Sequence, residues 1–347
     1  MGKEHVFLII ELSILSFSLI LSLVNFYKLK VNLSNFFCMF FIVVILFSSF
    51  IFTKNDYFTG LIKIISFLFL IYFGYVCQRK AALVIILVLL ISSMLSYITN
   101  WQLDKYSIFP ISFVTLLLAS FFDRVGKSKY ILMLFILLDL TQGIYTEYRG
   151  QLIYNIIVLV FLIFNISMRR RVASIFLVTS LGYICILYFI GYSYFSSYNL
   201  IFSPTASNIE RSSMIYWSVN HIPDFLFSGP TVELFEANSG DYKSLYSMSQ
   251  RVPNDPHNFL LMMYIYIGFI PAFFIFIFIF IFIKKGENKY NVEKTNNYMA
   301  LATFQVILLF SMHPFNSFSR IIVGITIGIF IALGRSNNEI KGKFNDK

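Results

Sequence analysis

The stretch from Asn258 to Ile283 reads NFLLMMYIYIGFIPAFFIFIFIFIFI and contains no charged residue. An α-helix needs about 20 apolar residues to cross the hydrocarbon core of a bilayer, so this stretch is long enough to span one. Its later part alternates isoleucine and phenylalanine with the period of a strand, but its length and continuous apolar character favour a helix. We expect one membrane-spanning helix here, kinked at Pro271.

The composition of the whole chain is that of an integral membrane protein. Of 347 residues, 58% are hydrophobic and only 13% are charged, whereas soluble domains carry about 25% charged residues. A soluble core could not bury so much apolar surface, and a disordered chain is excluded for the same reason. The net charge of +10 comes from short basic clusters between apolar runs. That pattern is typical of cytoplasmic loops facing anionic lipid and not of a nucleic-acid-binding domain.

The sequence predicts an all-α polytopic integral membrane protein with about 11 transmembrane helices. The candidate runs cover residues 6–27, 36–52, 61–77, 81–98, 108–122, 130–146, 150–166, 172–191, 258–283, 298–312 and 321–334. When the loop after the first run is placed inside the cell, most of the 27 basic residues fall in inner segments. The positive-inside rule then predicts an external N-terminus and a cytoplasmic C-terminus. The predicted organisation is eight helices within residues 1–191, three within 258–334 and a cytoplasmic tail over 335–347.

Residues 192–257 form a long external loop between the eighth and ninth runs. Long ordered loops usually carry function; the alternative is a flexible lid or a disordered insertion. Ser207 and Glu210 have the S-x-x-E spacing of a helix-capping box. The positions that follow share one helical face, namely Arg211, Met214, Ile215, Ser218 and Ile222. We therefore expect a short amphipathic helix that lies on the outer membrane surface, with Arg211 at its polar edge.

Helix N-termini that meet the external water are candidate anion sites, because their N–H groups are unpaired and the helix dipole is positive there. Arg149 opens the seventh run, Arg320 opens the eleventh, and His257 opens the ninth after Asp255, a candidate N-cap. Together with Arg211 they form a candidate external cluster. Arginine is suited to bidentate phosphate binding. The dipole favours neutral His257, which is suited to accept a proton from a sugar hydroxyl.

Each of these residues also has a structural interpretation. Arg149 is close in sequence to Glu147 and can pair with it. Arg320 can anchor a helix at the headgroups, and His257 can serve as a cap residue bonded to the loop. For Arg320 taken alone, the structural interpretation is favoured.

Asp139 lies within the sixth run, where a carboxylate is costly and is expected to have a function or a pairing partner. Gln142 and Gln151 are candidate partners. Glu11 lies nearer the end of its run and is expected to reach the membrane interface. The sequence contains no Gly-rich phosphate loop and no H-E-x-x-H or C-x-x-C spacing, so neither a nucleotide nor a bound metal is predicted.

Three motifs in order resemble the O-antigen polymerase and O-antigen ligase superfamily of bacterial envelopes. They are Arg149-Gly150 at the start of a run, Arg211 followed by Trp217 in the long loop, and Pro256-His257-Asn258-Phe259-Leu260 ahead of Gly268. The resemblance covers roughly residues 130–335. The family often has Ser where this chain has Tyr148, and the loop lacks a second Gly near Gly229-Pro230.

The resemblance implies a GT-C-like fold in the bacterial inner membrane, with a periplasmic N-terminus and one large periplasmic loop. It implies glycosyl transfer from an undecaprenyl-diphosphate-linked glycan to a sugar hydroxyl of another lipid-linked repeat unit, without a cofactor. A chain-length regulator and a flippase are further implied partners. The implied catalytic residues are His257, Arg211 and Arg149, and the implied substrate-binding residues are Arg320, Asn258, Trp217 and Asp139.

Polymerase is preferred because the chain is compact and its tail and inner loops are short. The ligase, which transfers finished glycan to lipid A–core, is the first alternative. A lipid-linked glycan or solute transporter is the second, because Asp139 and Glu11 are candidates for a proton relay. Such a transporter typically shows repeat symmetry between its halves, and the sequence shows none.

Overall fold

The chain folds into a bundle of α-helices. In the computed structural model the described residues are 9–14, 16, 57–98, 111–122, 128–145, 149–164, 166–168, 170–195, 206–230, 258–288, 294–310 and 317–342. Residues 9–14 and 16 are helical. The other helices are α1 (Tyr57–Cys77), α2 (Arg79–Ile98), α3 (Ile111–Phe122), α4 (Ser128–Tyr145), α5 (Arg149–Ile163), α6 (Val172–Phe195), α7 (Ala206–Asn220), a 3-10 helix (Ile222–Phe225), α8 (Phe259–Ile267), α9 (Phe269–Asn288), α10 (Lys294–Phe310) and α11 (Ser317–Gly342).

The described part of the chain contains no strand, which confirms the all-α class. The runs predicted from residue 61 to 191, and those from 298 to 334, each correspond to one helix. The predicted run 36–52 lies outside the described residues. Among the described residues, two helical stretches are long and apolar enough to cross a membrane, Val172–Ser193 in α6 and Phe269–Glu287 in α9; the other apolar helical stretches described are shorter.

Helices α1 and α11 make the most extensive contact in the described bundle, and glycines allow it. A Cβ atom on Gly324 would lie 2.7 Å from Leu70, and one on Gly328 would lie 2.9 Å from the Cα of Gly74. Gly324 and Gly328 form a G-x-x-x-G motif on α11, which lets two helix backbones approach closely in apolar surroundings. Residues later in α11 contact residues later in α1, so the two helices run parallel.

The expected single helix over 258–283 is wrong, because the stretch forms two helices that break at Gly268. Gly268 has φ +86°, a conformation that residues with a side chain rarely adopt. Pro271 is the third residue of α9 and not the site of a kink; in the first helical turn its missing N–H leaves no hydrogen bond unmade. The break is therefore set by the glycine and not by the proline.

Helices α8 and α9 fold back on each other. A straight helix would separate Phe259 from Phe276 by about 25 Å. Instead both rings lie near the ring of Phe176 on α6, with centroid distances of 6.4 Å and 5.0 Å respectively. The two helices thus form a hairpin whose turn is at Gly268 and whose arms both reach α6.

The N-terminus of α8 lies deep in the bundle. At one end of the helix, Tyr266 packs against Gly60 near the start of α1. At the other end, the ring of Phe259 lies 5.3 Å from that of Phe67, halfway along α1. All nine side chains of α8 are buried, as expected for a helix that is apolar on every side. Helix α8 therefore starts in the interior and runs towards the end of the bundle that carries the long loop.

Candidate functional site

A helix, α7, lies where the long loop was expected to contain an amphipathic helix, although its start and its surroundings differ from expectation. It begins at Ala206, so Ser207 lies inside the first turn and is not the N-cap. Met214, Ile215 and Ser218 on the predicted face are buried. Helix α7 packs on α6, where the lack of a side chain at Gly191 leaves room for its backbone. This face is therefore covered by protein and not by the membrane surface.

His221 directly follows the C-terminal end of α7 and forms hydrogen bonds to it. Its Nδ1 lies 2.9 Å from the carbonyl oxygen of Trp217, and because a carbonyl only accepts, Nδ1 must carry the hydrogen. The imidazole also stacks on the Trp217 indole with a centroid distance of 4.4 Å. Trp217 itself is only 3% exposed. His221 thus binds the Trp217 carbonyl near the end of the helix, and the Trp217 side chain is part of the packed interior beneath it.

The segment after α7 is fixed to the turn between α8 and α9. The backbone N–H of Ile270 donates to the carbonyl of Leu226 at 2.9 Å, and the Tyr264 hydroxyl donates to the carbonyl of His221 at 3.2 Å. A Cβ atom on Gly229 would overlap the carbonyl oxygens of α8. This part of the predicted loop is therefore an ordered, close-packed element and not a disordered insertion.

Asn258 is the N-cap of α8. Its Oδ1 accepts hydrogen bonds from the backbone N–H groups of Leu260 and Leu261 at 3.0 and 3.2 Å. Its Nδ2 donates to the carbonyl of Ser180 on α6 at 2.9 Å. The prediction that Asp255 caps this helix is wrong, because the helix starts after Asn258. His257 lies outside the described residues and directly precedes the N-cap in sequence.

Arg320 lies in the interior and pairs with Glu11. Its Nε and Nη2 donate to the two carboxylate oxygens of Glu11 at 2.8 and 2.7 Å, and the Ser66 hydroxyl donates to the same carboxylate. Arg320 and Glu11 are 3% and 1% exposed. The expectation that Glu11 reaches the interface is wrong, because a bidentate ion pair holds its carboxylate inside the protein. Arg320 is likewise no headgroup anchor.

Asp139 is fully buried and accepts from the start of another helix. Its Oδ2 lies 2.7 Å from the backbone N of Ser112, the second residue of α3. The first N–H groups of a helix have no partner within the helix, and the dipole there attracts negative charge. Asp139 therefore caps α3 from α4, which supplies the pairing role that a buried carboxylate requires.

The side chains of the three predicted catalytic residues lie outside the described set. Arg149 is the first residue of α5 and Arg211 lies in α7, while His257 precedes the cap of α8. Of the predicted substrate-binding residues, Asn258 precedes Phe259, whose ring lies beside that of Phe67 on α1, and Arg320 binds the same carboxylate as Ser66 on α1. Trp217 lies at the end of α7 and Asp139 lies at the start of α3.

Sequence reasoning missed several polar residues of the interior. Asn155 on α5 and Gln305 on α10 are fully buried and contact Ser112. The available signal was a polar, uncharged side chain in the middle of an apolar run. The G-x-x-x-G motif of α11 was a second unused signal.

Comparison with protein-family models, with curated protein sequences and with solved structures finds no match. The functional interpretation therefore depends on the residues and contacts of the chain itself.

Proposed function

We propose that this chain is a multi-pass membrane glycosyltransferase of the O-antigen polymerase type. It transfers an undecaprenyl-diphosphate-linked glycan onto a sugar hydroxyl of another lipid-linked repeat unit at the periplasmic face of the bacterial inner membrane. In this proposal the bundle has about 11 transmembrane helices, with a periplasmic N-terminus and a cytoplasmic C-terminus.

The distribution of polar and apolar side chains supports the membrane location. Leu83, Leu87 and Leu90 form an apolar stripe along α2, and each is more than half exposed. Asn155 and Gln305, by contrast, are completely buried. Soluble proteins rarely expose large contiguous apolar patches, whereas lipid is a suitable environment for such a surface.

The observation that carries the proposed chemistry is the short helix α8, which starts inside the bundle. Half-helices whose N-termini lie within a membrane protein direct the positive end of the helix dipole at anionic substrate groups. The chain reaches this terminus from the long external loop, and His257 immediately precedes its cap. A diphosphate leaving group requires that kind of positive environment.

The proposed reaction exchanges one carbon–oxygen bond for another. The bond between the anomeric carbon and the diphosphate oxygen breaks, and undecaprenyl diphosphate leaves with the electron pair. The acceptor hydroxyl oxygen forms the new bond to the anomeric carbon and loses its proton to a base. We assign this base to His257, and the stabilisation of the leaving diphosphate to Arg149 and Arg211.

Substitution of His257 tests the base assignment. His257→Gln and His257→Asn keep hydrogen-bonding atoms but cannot take up the proton, so turnover by the purified enzyme is expected to fall about 10²–10⁴-fold. Binding of the lipid-linked donor is expected to persist. His221→Gln is the matched control, because His221 is engaged at the end of α7, and its turnover is expected to stay near the wild-type rate. Turnover of His257→Gln within a few-fold of wild type would remove the base assignment.

The lipopolysaccharide ladder of a deletion strain distinguishes the alternatives. Core with a single repeat unit supports the polymerase, and bare core with accumulated lipid-linked polymer supports the ligase. A transporter remains the second alternative, because helices that end inside the bundle are also typical of transporters. The absence of lipid-linked units on the periplasmic side would support it and contradict the polymerase.

Cysteine labelling tests the orientation. Thiols introduced at Ser239 and Asn316 are expected to react with an impermeant reagent from outside, and thiols at Ser128 and Asn288 are not. External labelling at Asn288 would overturn the topology and, with it, the periplasmic site.

A further inference from the structure

A polar cluster joins three helices in a part of the bundle separate from α8. Ser112 on α3, Asn155 on α5 and Gln305 on α10 are all fully buried. The Gln305 Nε2 donates to the Ser112 Oγ and to the Asn155 Oδ1, both at 3.0 Å. The Ser112 hydroxyl donates to the Asn155 Oδ1 at 3.2 Å.

This network leaves one donor and one acceptor unpaired. The Nδ2 of Asn155 and the Oε1 of Gln305 are buried and have no hydrogen-bond partner among the described residues. The assignment of nitrogen and oxygen within the two amides does not change this result. Rotating one amide alone would place two donors or two acceptors against each other. Rotating both amides exchanges donor and acceptor in the contact, and the unpaired atoms are then the Asn155 oxygen and the Gln305 nitrogen.

The group that satisfies both atoms must accept one hydrogen bond and donate another. The unpaired amide N–H would repel a metal cation, and the unpaired carbonyl oxygen would repel an anion, so neither ion fits both atoms. Buried polar atoms nearly always have a partner, and buried water commonly supplies it with two to four hydrogen bonds. Each unpaired atom is bonded to the same carbon as the amide atom that makes the 3.0 Å contact. The two unpaired atoms therefore lie on the two side chains that contact each other.

We propose that an internal water molecule binds between Asn155 and Gln305 and bridges α5 to α10. The site adjoins Asp139, because the Ser112 residue that contacts both amides also donates its backbone N–H to that carboxylate. The bound water thus adds a further link to the hydrogen-bonded network that joins α3, α4, α5 and α10 through Ser112. This inference does not depend on the proposed glycosyl transfer.

A structure of the full chain in lipid nanodiscs, at a resolution that reveals ordered water, tests the proposal. A density peak is expected about 2.7–3.2 Å from both the Asn155 Nδ2 and the Gln305 Oε1, or from their exchanged counterparts. A direct bond between these two atoms, or bonds from both to other protein groups, would overturn it. A peak that appears only after a lipid-linked saccharide is added would assign the site to a substrate hydroxyl and would also overturn it.

Two variants and a matched control make the assignment specific. Asn155→Leu removes the donor and Gln305→Met removes the acceptor, so the peak is expected to disappear in both. Thr303→Val is the control on the same helix, because the Thr303 hydroxyl is buried but donates to the carbonyl of Met299; there the peak is expected to remain. Persistence of the peak in Gln305→Met would contradict the proposed site, and the wild-type map decides the question if a variant does not fold.

Discussion

The two carboxylates buried in the middle of the bundle are stabilised in different ways. Glu11 is neutralised by the guanidinium of Arg320, which binds it through two hydrogen bonds. Asp139 accepts instead from the backbone N–H of Ser112, at the positive end of α3. A full charge thus faces Glu11, and the partial positive charge of a helix terminus faces Asp139. We therefore expect the free energy of unfolding to fall more when the contact of Glu11 with its partner is lost than when that of Asp139 is lost.

A third carboxylate combines both arrangements near the end of α9. Glu287 accepts from the backbone N–H of Ala173 at the start of α6 at 2.5 Å. It also pairs with Lys284 at 2.8 Å. The Lys284 side chain is 43% exposed, so water screens this pair. The basic partner therefore contributes less to stability at Glu287 than at Glu11.

The largest effect is expected for Arg320→Ala. This variant leaves the Glu11 carboxylate buried without its cation, and loss of one partner of a buried pair costs about 3–5 kcal/mol in the free energy of unfolding. Thermal unfolding in detergent or nanodiscs measures the loss. The double variant Glu11→Leu/Arg320→Met is the control and is expected to recover most of the stability, because no charge is left unpaired. A loss below about 1 kcal/mol for Arg320→Ala would show that water reaches the Glu11 site.

An intermediate effect is expected for Asp139→Ala. It leaves the Ser112 N–H buried without its acceptor, which costs about 1–3 kcal/mol in the free energy of unfolding. Asp139→Asn retains an oxygen that can accept, so its loss is expected to be smaller. The same unfolding assay compares both variants with wild type. Equal losses for Asn and Ala would mean that the negative charge, and not the hydrogen bond, stabilises α3.

The smallest effect is expected for Lys284→Ala. Exposed ion pairs contribute about 0.2–1 kcal/mol, and Glu287 keeps its bond to the Ala173 N–H after the lysine is removed. Glu287→Ala is the matched control and is expected to lose more stability, because it leaves that N–H without an acceptor. If Lys284→Ala destabilised the protein as much as Arg320→Ala, the proposed order of the three sites would be wrong.

The hydrophobic runs predicted most of the described helices, because the length of an uninterrupted apolar stretch is a local property of the sequence. They failed at residues 258–283, because an apolar stretch of this composition can form either one long helix or a hairpin of two. The hairpin depends on the contacts of Phe259 and Phe276 with Phe176, which no local pattern reveals. Gly268 and Pro271 were the signals in the stretch, and without tertiary contacts they do not distinguish a kink from a reversal.

The candidate site was predictable in its residue types but not in its pairings. The cost of a carboxylate in lipid correctly indicated that Asp139 needs a partner, but the partner is a backbone N–H, which every residue except proline possesses. Glu11 and Arg320 are separated by 309 positions, and only the parallel packing of α1 and α11 brings the N-terminal helical segment to the start of α11. Asn258 was chosen for its motif, whereas its role as N-cap became clear only once the start of α8 was known.

The pairing of Glu11 with Arg320 also bears on how the protein is made. Translation proceeds from the N- to the C-terminus, so Glu11 is synthesised 309 residues before its partner Arg320. The G-x-x-x-G contact between α1 and α11 likewise forms only after α11 has been synthesised. A chain truncated before Ser317 therefore carries Glu11 without the cation that neutralises it in the folded bundle.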